Sequence, residues 1–265
     1  GFDEPTGQNI YPSQGYQAWR RNDQGNLRME IFSFSGKGLR EKNEDYLLSR
    51  QFSADCSIHL VADGMGGYQH GEIASSVACH AIADYLEENL AHSDFEELIR
   101  NSVSFANDQI RDQQTALREK MGTTIAGALI KGKDAWVFWL GDVRIYHIRE
   151  NQLLFHSVDH SLINEIKKER VVSSRDIARY GNIVTKSISG NILSEEPPVI
   201  HIEWESNDSL ILCTDGFWRN RDVLTIQDHP WETLQECFFG MEDNIGDNYS
   251  VVLIANYSKA ISPLL

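Results

Sequence analysis

Four acidic residues in this chain each stand where an apolar, strand-like run begins or ends: Asp63 in LVADGMGG, Asp142 in WLGDVR, Asp215 in LILCTDGFW and Asp247 in GDNYSVVLIANY. A bare carboxylate at the lip of an apolar strand is costly unless something cationic meets it. Four of them, far apart in sequence and alike in setting, point to convergence in space. Hard oxygen ligands with no Cys or His alongside favour Mg²⁺ or Mn²⁺ over Zn²⁺ or copper. The chemistry such ions support is attack of an activated water on a phosphate ester.

Two further segments carry residues suited to that chemistry. GLREKNEDYLL holds Arg40, Asn43, Glu44 and Asp45. An arginine fork can grip two phosphate oxygens at once. Adjacent Glu44 and Asp45 at the start of a strand point to opposite faces, so one can meet a metal–water cluster while the other orients it from behind. In VADGMGGYQHGEIAS, Asp63 is followed by Gly64, Met65, Gly66 and Gly67. Glycines permit close approach of backbone to a ligand, and the Gly64 carbonyl could join the Asp63 carboxylate at a metal. Each segment alone also reads as an ordinary charged or Gly-rich turn. The case rests on all of them occurring in one chain, in this order.

The elements that must position these residues are legible from periodicity. MEIFSFS (29–35), DYLLSR and CSIHLVAD read as strands. Two helical patterns follow, one through Ile73, Val77, Ala81, Tyr85 and Leu86, the other through Phe95, Leu98, Ile99, Val103, Ala106 and Ile110, with Ser93 or Asp94 placed to cap it. Then come the strands TTIAGALI, DAWVFWL, VRIYHIRE and QLLFHS, joined by the hairpin-like turns KGKD, GD and EN. A polar helical insertion at about 160–182 looks like a flap over one end of the sheets, and the strands IVTKSI, VIHIEW, SLILCTD and NYSVVLIANY, with a short helix near Trp231 to Phe239, complete the body. Mostly antiparallel sheets packed together with helices outside make an α+β fold. Residues 1–27 read as an N-terminal arm, 28–258 as a single catalytic domain and 259–265 as a C-terminal tail.

Composition narrows the function. The 265 residues are 41% hydrophobic, enough for one sizeable core. A formal charge of −15 without a basic cluster argues against nucleic acid and anionic membrane as partners. Attraction of a phosphate-bearing substrate must then be local, from bound divalent ions. Cys56, Cys79, Cys213 and Cys237 lie in apolar stretches without CxxC spacing, as buried thiols of a reducing compartment do. No membrane-spanning run or signal peptide is visible, so a cytoplasmic protein is expected.

The ordered set resembles the metal-dependent protein phosphatase family, the type 2C serine/threonine phosphatases. Its carriers are Arg40 with Asn43, Glu44 and Asp45; Asp63–Gly64 with Gly66–Gly67; Gly122–Thr123–Thr124; Gly141–Asp142 with Arg144; Asp159–His160; Thr214–Asp215–Gly216; and Asp247–Asn248. The resemblance implies a four-layer αββα sandwich, two antiparallel β-sheets flanked by helix pairs, with a binuclear Mn²⁺ or Mg²⁺ centre in a cleft at one edge. It implies that Asp63 bridges two ions, that Asp215 and Asp247 hold one, and that the Gly64 carbonyl and, through water, Glu44 hold the other. Asp45 would contact the waters of the centre, Asp142 would help hold a weaker third ion, and Arg40 would bind the substrate phosphate. The implied reaction is hydrolysis of phosphoserine and phosphothreonine in proteins by direct attack of a metal-bridging water, opposite a cognate Ser/Thr kinase. Met65 occupies a place where many eukaryotic members carry His, as in many bacterial members, and Met cannot protonate a leaving alkoxide. His160 is a candidate stand-in, set against its reading as a structural His beside the flap. Two other readings fit parts of the set: a pseudophosphatase that binds phosphoproteins as a scaffold, and a two-metal phosphodiesterase or nuclease, for which the chain offers no basic track.

Overall fold

Alternation along the strands divides the core before any packing is considered. In a computed structural model that describes residues 28–65, 70–92, 94–193, 195–226 and 244–257, ten strands form two antiparallel five-stranded sheets. The first sheet has the order β1 (Arg28–Gly36), β10 (Tyr249–Tyr257), β9 (Asp208–Cys213), β6 (Arg144–Arg149), β7 (Gln152–His156). The second has β2 (Asp45–Ser53), β3 (Cys56–Asp63), β4 (Ile125–Lys131), β5 (Asp134–Leu140), β8 (Val199–Glu203). In β3, Ile58, Leu60 and Ala62 face the helices while Val61 faces the other sheet. In β10, Val252 and Ile254 face the sheet interface while Val251 and Leu253 face outward into a third cluster. A period of two in strands that are apolar throughout therefore requires a covering layer on both faces.

On the second sheet that layer is a helix pair, α1 (Gly71–Glu88) and α2 (Phe95–Leu117), whose Ala74, Ala78, Ile82, Ile99, Val103 and Ile110 are buried against it. Asp94 caps α2, accepting from the Glu96 and Glu97 N–H groups, each at 3.0 Å. The outer face of the first sheet meets the one-turn helix α5 (Asp215–Trp218) and a 3₁₀ turn at Val223–Ile226. The helix expected near Trp231 to Phe239, which would complete a fourth layer, lies outside the described residues, as do Gly66, Gly67, Ser93 and Cys237.

Two expectations are corrected. The turn GD is not a hairpin: β5 and β6 lie in different sheets, and β6 pairs with β9. Gly141 has φ +115, and a Cβ there would stand 2.4 Å from the Thr124 side chain, so only glycine allows the chain to turn from one sheet into the other. IVTKSI is not a strand. It contributes only single bridges, Ser161 with Val184 and Thr123 with Ile188, because it closes the base of the flap rather than extending a sheet. The flap itself is two short helices, α3 (Leu162–Glu169) and α4 (Ser174–Tyr180), the second closed by a Ser173–Asp176 capping box.

A buried ion cluster ties the far end of the first sheet. Asp208 is fully buried and takes the Arg149 fork on both oxygens, at 2.5 and 2.9 Å, with His147 Nε2 at 3.2 Å. Burial pushes its carboxyl up, but His147 and Arg149 outweigh that and hold it at about 2. A carboxyl depressed on folding stabilises the protein above its unfolded value near 4 and loses that contribution as pH falls toward 2. Asp208→Asn is therefore expected to cost about 2–3 kcal/mol at neutral pH and to flatten the stability profile between pH 4 and 2. Urea midpoints across that range check it, and a variant as acid-sensitive as wild type would rule the pairing out as the cause.

Candidate metal centre and phosphate site

The site lies where the ends of β2 and β3 meet those of β9 and β10. Asp45 opens β2 directly opposite Asp63, which closes β3. Across the sandwich, Thr214 follows β9, donates its hydroxyl to Asp45 Oδ2 at 2.9 Å and accepts from the Ser250 N–H at 2.9 Å. That bond joins the two sheets at the point where their acidic ends converge. Glu44 lines the cavity and Asp45 is buried beneath it, as alternation requires.

Asn248 holds the loop that carries Glu44. Its Oδ1 accepts from the Glu44 N–H at 2.9 Å, and its Nδ2 donates to the carbonyls of Lys37 and Lys42 at 2.8 and 2.9 Å. Asn43 Oδ1 accepts from the Asp45 N–H at 3.2 Å. Gly64 is wedged between the first residue of α1 and the residue before β2: a Cβ there would stand 2.4 Å from the Gly71 carbonyl oxygen and 2.7 Å from that of Glu44. Its own N–H donates to the Glu44 carbonyl at 3.1 Å. Gly64 serves by close approach, and no left-handed backbone is involved.

Arg40, Glu44, Asp63, Gly64, Asp142, Asp215 and Asp247 line one cavity of about 540 Å³. Every residue assigned above to the ions or the phosphate is thus in its wall, except Asp45, which lies buried behind it. The cost of this gathering shows in the carboxyls. Burial, then the charges of Asp45, Asp215, Asp142 and Asp247, pushes Asp63 well above the ordinary carboxylate range. Burial, with Asp215 and Asp247, raises Asp45 to about 7 against the hydroxyls of Ser250 and Thr214. Burial, then Asp215 and Asp159, raises Asp142 to about 7.

Two arginines partly offset this. Arg40 donates to Asp247 Oδ2 at 2.9 Å and to the Gly246 carbonyl at 3.2 Å. Arg219 lies 3.2 Å from Asp215 and 3.9 Å from Asp142, and donates to Asn182 of the flap base at 2.7 Å. Arg219 is the residue that sequence reasoning missed. Its only signal is its place four residues after Asp215, the i,i+4 spacing that puts two side chains on one helical face.

The residues fit a divalent cation. Five carboxylates line one cavity against two guanidinium groups, and Asp45 Oδ1 is buried with no hydrogen-bond partner among the described residues. An orphaned buried carboxylate oxygen beneath an acidic pocket calls for a cation or its water. Among the described residues no three His, Cys, Asp or Glu side chains are yet grouped closely enough to ligate a single ion. His160 is committed elsewhere. Its Nδ1 accepts from the Gly141 N–H at 3.1 Å, its ring stacks on Trp139, and burial, then Lys186, lowers it to about 4. It does not line the cavity and is no stand-in for an acid there.

Comparison with known proteins accords with this geometry. The sequence model described as Protein phosphatase 2C matches residues 40–248, from Arg40 to Asn248. Protein phosphatase PhpP of Streptococcus pneumoniae is 29% identical over 242 residues, covering 86% of this chain and 97% of that one. The S. agalactiae serine/threonine phosphatase is 27% identical with a TM-score of 0.72, over 86% of this chain and 99% of that one. The catalytic domain of the phosphatase PstP, solved with two manganese ions, shares the fold at 23% identity and a TM-score of 0.72, over 88% of this chain and all of that one. The chain belongs to the protein phosphatase 2C family and is a phosphoprotein phosphatase.

Proposed function

We propose that the cavity holds two Mn²⁺ or Mg²⁺ ions between Asp63, Asp215, Asp247, the Gly64 carbonyl and, through water, Glu44, with Asp45 orienting their waters from behind. Asp142 serves a weaker third ion. The observation that carries this is the convergence of five carboxylates on one cavity over the unpartnered Asp45 oxygen. The solved relative with two manganese ions supports the choice of ion. Ions bound there activate water and neutralise charge on a phosphate ester.

The chain's own residues then have defined work. Arg40, at the rim, exchanges Asp247 for the phosphoryl oxygens of the substrate and presents its planar fork to them. Asn248 and Thr214 keep the four acidic strand ends in register. Among the described residues lining the cavity there is no Ser, Cys or His, which favours direct hydrolysis over a phosphoenzyme built on one of those. The substrates are phosphoserine and phosphothreonine proteins, as the names of its serine/threonine phosphatase relatives indicate. A Ser/Thr kinase acting on the same proteins is the partner this activity requires. We place the enzyme in the cytoplasm, with residues 28–258 as one catalytic domain; among the described residues no helix is long and apolar enough to cross a membrane.

The test is hydrolysis of p-nitrophenyl phosphate and a phosphoserine peptide, with Mn²⁺ and after chelation. Turnover that persists unchanged after chelation would sink the assignment. Arg40→Ala is expected to raise KM for p-nitrophenyl phosphate about ten- to a hundredfold, the worth of a charge-assisted hydrogen bond. Because Arg40 sits on Asp247, its loss should leave Mn²⁺ affinity equal or tighter. Weaker Mn²⁺ binding with an unchanged KM would reverse the roles assigned to Arg40.

A further inference from the structure

A second groove of about 520 Å³ adjoins the acidic cavity, running between the end of β7 and the flap. Arg219 and Asn182, hydrogen-bonded to each other, line both spaces and form their common wall. The charge changes sign across that wall. The cavity faces five carboxylates with two arginines, whereas the groove faces Arg144, Lys167 and Arg219 with one carboxylate, Asp159. In a chain of formal charge −15, a cationic recess beside the catalytic cavity is a specific placement.

The cations are not equivalent. Arg144 is already spent: it donates to both oxygens of Asp159 at 2.8 Å and lies 3.4 Å over the Trp218 ring. It builds the floor. Arg219 is shared with Asp215 and Asp142. Lys167, on the exposed side of α3, meets only the Asn164 amide oxygen at 3.2 Å and has no carboxylate partner among the described residues.

Resting on the phosphatase reading above, we propose that this groove is a second anion subsite. It takes an acidic or phosphorylated side chain of the protein substrate, flanking the residue being dephosphorylated, with Lys167 as the specificity-determining cation. An extended peptide advances about 3.3 Å per residue. A substrate whose phosphate enters the acidic cavity therefore carries a neighbouring side chain over the Arg219–Asn182 wall into the groove.

The experiment compares phosphoserine peptides of one sequence carrying Ala, Glu or a second phosphoserine at each position from one to five residues on either side. Wild type, Lys167→Ala and Lys167→Glu are assayed for kcat/KM, with p-nitrophenyl phosphate as a substrate that cannot reach the groove. Wild type is expected to prefer the anionic peptides at one or two positions by about two- to fivefold, the range of an exposed ion pair. The preference should reside in KM, fade with added salt, vanish in Lys167→Ala and invert in Lys167→Glu, while turnover of p-nitrophenyl phosphate stays at the wild-type level. The Glu and phosphoserine series show whether a carboxylate or a second phosphate is the group read. No preference at any position, or one unaffected by Lys167→Glu, overturns the subsite. Binding of the same peptides made with a non-hydrolysable phosphonate repeats the comparison without turnover. A failure of catalysis would therefore be told apart from a failure of the groove.

Discussion

Asp63→Asn is expected to lose on the order of a thousandfold or more in Mn²⁺-dependent turnover while raising the melting temperature of the metal-free protein. The first effect follows from removing the central charge of the proposed centre, where ions supply several kcal/mol of charge stabilisation. Each 1.36 kcal/mol is a factor of about ten in rate. The second follows from the electrostatics of the folded chain. Burial and the carboxylates Asp45, Asp215, Asp142 and Asp247 all oppose ionisation of Asp63. A neutral amide of the same size relieves that repulsion. Ligand binding to the folded state raises stability by RT ln(1 + [L]/Kd), so the rise in melting temperature that Mn²⁺ confers on wild type should shrink or disappear in the variant. Calorimetric titration with Mn²⁺ and thermal melts with and without the ion read both effects. Full Mn²⁺ uptake and near-normal turnover in Asp63→Asn would be incompatible with the centre.

The second large effect is expected from Gly216→Ala, a single methyl group. A Cβ at Gly216 would stand 2.0 Å from the Asn248 carbonyl oxygen and 3.4 Å from the Asp247 Cβ. The obstacle is backbone, which cannot rotate away as a side chain could. Helix α5, bearing Asp215, would have to separate from the segment just before β10, which bears Asp247 and Asn248. Overpacking of this kind costs about 3 kcal/mol, which is roughly 6–12 °C in melting temperature for a protein of this size. Because a displacement near 1 Å in a catalytic constellation can cost about a hundredfold, activity should fall further than stability explains. Gly246→Ala is the control: a Cβ there meets nothing within 4 Å. A Gly216→Ala protein that melted and turned over like wild type would show that the two acidic elements need no such contact.

The strands were readable because they are buried on one or both faces, and alternation with β-branched residues leaves few other ways to bury Ile58, Leu60, Val252 or Ile254. The long helices were readable for the same reason at a different period. Sequence and structure part where local signals are satisfied but the pairing partner is distant. Gly141–Asp142 has the chemistry of a tight turn, yet joins two sheets, since β6 gains its partner from β9, more than fifty residues further on. IVTKSI has strand-like residues but no neighbour left to pair with beyond single bridges. Arg219 carried no motif of its own. Beyond Asp215, four residues before it, its partners are Asp142 and Asn182, neither near it in sequence.

By itself the sequence determined which groups could do chemistry, namely acidic residues at the ends of apolar runs, an arginine suited to a phosphate and glycines at close approaches, and it determined the periods that bury those runs. Tertiary structure alone decided that the four strand ends share one cavity, that Arg40 and Arg219 lie on its carboxylates, and that a cationic groove adjoins it. The physical reason is that residue type and periodicity are local properties of a chain. Charge convergence depends on which sheet edges pack together, through contacts such as Thr214 with Asp45 that span 169 residues.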